Sequence, residues 1–76
     1  MSILAKVIND NEDALKDAAK TGAEYKEAVR KITVAAKDAF GNNITEEFVE
    51  SNIDAFRDWA KGAEGSAERI QKALKE

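Results

Sequence analysis

The apolar positions of this chain fall into two runs, each spaced alternately by four and three residues. The first passes through Leu4, Ile8, Asn11, Leu15, Ala18, Gly22, Tyr25, Val29, Ile32, Ala36 and Ala39. The second passes through Val49, Ile53, Phe56, Ala60, Ala63, Ala67, Ile70 and Leu74. A repeat of about 3.5 residues sustained this long predicts helices packed along a coiled-coil seam. Proline is absent and alanine, lysine and glutamate dominate, so helix propensity agrees with the pattern. Between the runs stands Gly41-Asn42-Asn43, where glycine suits a left-handed C-terminal cap. Asn43 or Thr45 can cap the next helix, with Glu46 and Glu47 where the helix dipole favours negative charge. The pattern therefore predicts an all-α chain, a single domain over residues 1–76. Its expected form is an antiparallel helical hairpin, with helices at about 3–40 and 44–75.

Folding the chain at Asn42-Asn43 sets the two repeats in register. Ile32 falls opposite Ile53, Val29 opposite Phe56 and Leu15 opposite Ile70, each pair of numbers summing to 85. These six residues are the expected hairpin seam. Halfway along, Gly22 meets Ala63, close to Gly62 and Gly65. Small residues there form a waist at which two continuous helices approach closely. The alternative is a hinge that breaks both arms into four shorter helices, because each glycine costs a helix about 1 kcal/mol relative to alanine. Continuous helices are the expectation.

A second stripe runs beside the seam of the first helix through Val7, Ala14, Thr21, Ala28 and Ala35, and Trp59 and Ala73 lie on the matching flank of the second. Two helices bury only a narrow seam, and a wider stripe belongs to bundles of more than two. Val7, Ala14, Ala28, Ala35, Trp59 and Ala73 are therefore the candidate interface, through which the hairpin completes a bundle by self-association. Phe40 and Phe48 flank the turn and are expected to cap the end of the core.

Composition narrows the chemistry. With 76 residues one small core is available, and such chains usually need a further staple. Cysteine and histidine are both absent, which removes disulfides and leaves only carboxylates for a metal. The net charge is −3 with both signs interspersed, which speaks against nucleic-acid binding. No apolar stretch approaches the roughly 20 residues of a membrane span, and the run at Ile3-Leu4-Ala5 is too short for a signal-peptide core. A soluble protein is expected, cytoplasmic or exported without a cleaved signal. Glycine-rich phosphate loops and nucleophile elbows are absent, and Ser2, Ser51 and Ser66 have no base beside them in the pattern. The expectation is a protein that is not an enzyme, with no cofactor, no metal and no evident small-molecule substrate.

The expected architecture resembles two groups of small helical hairpins: the early-secreted-antigen type exported by type VII systems, and the needle subunit of type III secretion. Trp59-Ala60-Lys61-Gly62 has one residue too many for the first group's Trp-x-Gly turn, and Gly41-Asn42-Asn43 replaces the second group's proline-containing turn. The resemblance is architectural and implies no membership. Two functions follow as expectations. The first is a non-enzymatic helical association module whose partner is itself, as a dimeric four-helix bundle, higher oligomer or filament subunit. The second is a small acidic inhibitor or immunity-type protein, a monomer that meets a protein partner through Glu46, Glu47, Glu50, Asp54 and Asp58.

Overall fold

A computed structural model describes residues 3–16 and 22–75. All regular structure among them is helical: α1 (Ile3–Asp10), α2 (Glu12–Leu15), α3 (Ala23–Phe40), α4 (Glu46–Ser51), α5 (Ile53–Ala60) and α6 (Ser66–Lys75). α1 and α2 form one helix bent at Asn11, and α4 and α5 one bent at Asn52, so four rods pack into one body. The molecule measures 29 × 22 × 19 Å.

Those dimensions overturn the continuous hairpin. At 1.5 Å per residue a helix over 3–40 would run to roughly 57 Å. The chain instead folds back on both arms, before α3 near Gly22 on the first and between α5 and α6 at Gly62 and Gly65 on the second. α5 ends in a Schellman motif: the Gly62 N–H bonds to the Trp59 carbonyl at 3.0 Å and the Ala63 N–H to the Asp58 carbonyl at 3.0 Å. Gly62 closes that motif at φ +81°, and Gly65 repeats the left-handed conformation at φ +79°. Such angles suit glycine and are strained for any residue with a Cβ. On the first arm Gly22 is extended (φ −70°, ψ 158°) and ends the chain's approach to α3. Gly62, Ala63 and Gly65 are exposed, so the expected close-packed waist is a connection instead. Thr21, and Ala18 with its pairing to Ala67, lie outside the described residues.

The register that sums to 85 fails with it. α1 packs against α3 and α5, and α6 packs against α5. Leu74 shares a groove with Ala39 and Phe40 at the end of α3, and Asn11, which the register assigned to it, does not line that groove. The seam residues are nonetheless the core. Leu15, Val29, Ile32, Ile53, Phe56 and Ile70 are all buried, together with Leu4, Ile8 and Tyr25. Folding back is favoured because a two-helix seam leaves such side chains half wet. Full burial of one large aliphatic residue is worth about 1.5–3 kcal/mol, more than a glycine costs or gains.

The bends repeat. From Asn11 to Asn52 is 41 residues, and at that offset Asp13 matches Asp54, Ala14 matches Ala55, Ile8 matches Val49 and Leu15 matches Phe56. Each asparagine returns its side-chain amide to the carbonyl four residues earlier: Asn11 Nδ2 donates to Val7 O at 2.8 Å, Asn52 Nδ2 to Phe48 O at 2.9 Å. The same carbonyl also accepts that asparagine's own N–H, at 3.2 Å for Asn11 and 3.1 Å for Asn52, so each bend carries a second bond to one oxygen. The 41–45 loop is anchored by Ile44, 1% exposed. Thr45 Oγ1 accepts the Phe48 N–H at 3.1 Å and caps α4.

Candidate functional site

The stripe expected to meet a second copy is largely spent inside the chain. Ala28 and Ala35 are buried in the core, with Val7, Ala14 and Trp59 packed against it and half-buried. Ala73 is half-buried on α6. Trp59 stacks edge-on with Phe40, ring centres 5.7 Å apart, and Phe40 and Phe48 each meet Phe56 edge-on at 6.1 Å. The two phenylalanines flanking the turn thus close the end of the core. The structure does not bring the six candidate interface residues together as one exposed face.

A different surface stays open. α1 and α2 run antiparallel to α3, and the grooves between them form one trough. Its middle, about 560 Å³, is lined by Ile3, Val7, Asp10 and Asn11 on one wall and by Lys31, Val34, Ala35 and Asp38 on the other. At one end it continues between Asp13 and Ala14 on α2 and Ala23, Glu24 and Glu27 on α3. At the other it reaches Leu4 and Ala39. Ile3 and Val34 in its middle are 73% and 66% exposed, the large apolar side chains left in water among the described residues. The sequence did carry a signal for Val34: it lies three residues past Lys31 and four before Asp38, an apolar residue in a charged helical stripe.

The trough is acidic. Asp10, Asp13, Glu24 and Asp38 have no ion-pair partner among the described residues, whereas Glu27 is held by Arg30 at 2.5 Å. Lys31 lies four residues after Glu27 in the chain, yet the carboxylate bonds to Arg30. Arg30 and Lys37 line the groove on the other side of α3, with Thr33, Ile44 and Thr45. Of the second acidic stretch, Glu46, Glu47, Glu50 and Asp54 are exposed, and Asp58 is half-buried and bonded to Arg69 at 3.3 Å.

The best-formed polar cluster is structural. Arg57 Nη2 and Nε donate to Glu12 Oε1 at 2.5 and 3.1 Å, with Lys61 Nζ at 3.6 Å, tying α2 to α5. The two side chains are only 18% and 22% exposed. The Arg57 hydrogen bond holds the Glu12 carboxyl below its ordinary value, against a burial that pushes it up. The same bond raises Arg57. Glu12 has Lys16 four residues on in the chain, but the tertiary fold gives it Arg57. Tyr25 is 1% exposed, and burial first, then Glu50 and Asp54, raise its hydroxyl. It stays neutral and packs. No buried side-chain nitrogen or oxygen among the described residues lacks a hydrogen-bond partner, Thr33 and Ser66 being bonded to main-chain carbonyls. None of the described helices is long and apolar enough to cross a membrane.

Comparison of the chain with protein-family models, with curated proteins and with solved structures finds no match. The functional reading therefore rests on the surface itself.

Proposed function

We propose that this chain is a non-enzymatic, acidic binding module that acts as a monomer on a protein partner. The observation that carries the reading is the burial of Ala28 and Ala35 within one chain, because the case for an obligate second copy rested on that stripe. Net charge −3 and carboxylates along the trough and along α4–α5 add electrostatic steering toward a basic partner. The shallow trough, walled by solvated carboxylates, offers a docking surface rather than the enclosed pocket that small substrates need.

Mass in solution tests it. Light scattering of the full chain well above micromolar concentration is expected to give a folded monomer, unchanged on dilution. A stable dimer or larger assembly refutes the reading and hands the function to self-assembly, in which the chain completes its bundle with copies of itself. That second reading is favoured by one observation, the exposure of Ile3 and Val34 on the same groove. It predicts that Val34→Glu dissociates the assembly. Trp59→Glu, by contrast, disturbs the packing on Phe40 within each chain.

A further inference from the structure

We infer that the trough between α1–α2 and α3 is a docking site for a basic amphipathic helix of the partner, an inference that rests on the monomeric binding function proposed above. The floor supplies apolar contact. Ile3 and Val34 are mostly in water and Val7 is half-buried beside them, so an apolar side chain laid between them removes water from all three. From Glu24 to Asp38 along α3 the trough runs roughly 21 Å, the length of a four-turn helix. Helix-in-groove recognition uses such a floor, read by apolar anchors at i, i+3 or i+4, and i+7.

Charge chooses the occupant. Asp10, Asp13 and Glu24 border one half and Asp38 the other, all unpaired among the described residues, against the single Lys31. Lys6 is exposed on α1 but does not line the groove. A second copy laid in the trough brings a net negative wall against a net negative wall. An anionic membrane surface or a nucleic acid meets the same repulsion. A helix with apolar anchors flanked by Lys or Arg meets complementary charge on both rims, with its densest positive charge over Asp10, Asp13 and Glu24.

The test is titration of the ¹⁵N-labelled full chain with a synthetic helix of about four turns, built from leucine at three- and four-residue spacing and lysine elsewhere. A leucine–glutamate peptide of the same pattern is the control. The lysine peptide is expected to bind one to one, to move amide signals of residues 3–14 and 24–39, and to weaken as salt is added. Val34→Glu decides between docking and bulk attraction, because it adds negative charge while removing apolar floor. Docking predicts about a tenfold or greater loss of affinity. Unchanged or stronger binding by Val34→Glu overturns the inference, as does equal affinity for the glutamate peptide or no saturable binding. Signal changes centred on Glu46–Asp58 overturn the location while leaving the monomeric binding function standing. Trough signals that move on dilution without peptide indicate a second copy and overturn both.

Discussion

The tie between Glu12 and Arg57 is the sharpest test of how this chain folds. In a continuous hairpin Glu12 stands opposite Ala73, sixteen residues or roughly 24 Å of helix away from Arg57, and the two charges do not interact. In the folded-back bundle Arg57 Nη2 is 2.5 Å from Glu12 Oε1 and both side chains are about four-fifths buried. Exposed ion pairs contribute about 0.2–1 kcal/mol, whereas breaking a fully buried pair costs about 3–5 kcal/mol. This pair falls between, so a double-mutant cycle of Glu12→Gln and Arg57→Met is expected to give a coupling of about 1–2 kcal/mol. A loss of about 1–2 kcal/mol in the single variant Glu12→Gln corresponds, for a domain of this size, to a fall in Tm of roughly 4–16 °C. Arg57→Met costs less at Glu12, since Lys61 at 3.6 Å keeps part of the charge contact.

The pH dependence has a definite sign. The Glu12 carboxyl is lowered in the folded state from 4.5, so its contribution is fully present above that ordinary value. It is lost as pH falls through the depressed folded value, because the unfolded chain binds the proton first. Urea unfolding followed by helical circular dichroism at neutral pH and again well below pH 4 measures both quantities. A coupling within error of zero at neutral pH, or one that survives strong acid unchanged, refutes the placement of Glu12 beside Arg57.

Two further substitutions probe the local chemistry of the fold. Gly62→Ala and Gly65→Ala are expected to destabilise by about 1 kcal/mol each, since both sites have positive φ. A continuous helix predicts the opposite sign, a gain of about 0.5–1 kcal/mol, and chemical denaturation reads the difference even though no atom lies within 4 Å of either added Cβ. Thr45→Ala removes the oxygen that accepts the Phe48 N–H and is expected to cost about 1 kcal/mol; Thr45→Ser retains the cap, and equal losses in both variants would count against it.

Periodicity settled which residues go inside. Leu4, Ile8, Leu15, Val29, Ile32, Ile53, Phe56 and Ile70 were placed on the apolar stripe by spacing alone, and all are buried. The all-helical class and the turn after Phe40 were equally legible, because propensity, capping chemistry and absence of proline are local properties of the chain. The repeat says which face of a helix is apolar and nothing about what covers it. A long seam with a partner hairpin and four short rods closing on themselves use the same stripe. The deciding terms are non-local: burial of α1 against α3 and α5, the Glu12–Arg57 tie across 45 residues, and the aromatic contacts of Phe40 with Phe56 and Trp59. Glycine marked the places where the choice is made without making it, since the roughly 1 kcal/mol that each of Gly62 and Gly65 costs a helix is less than one buried large side chain returns, and only the fold-back gives their positive φ a use. The same reason governs the candidate site. Ala28 and Ala35 looked open until the chain folded back over α3 and buried them, and Ile3 and Val34 became a surface only because none of the described residues reaches across them.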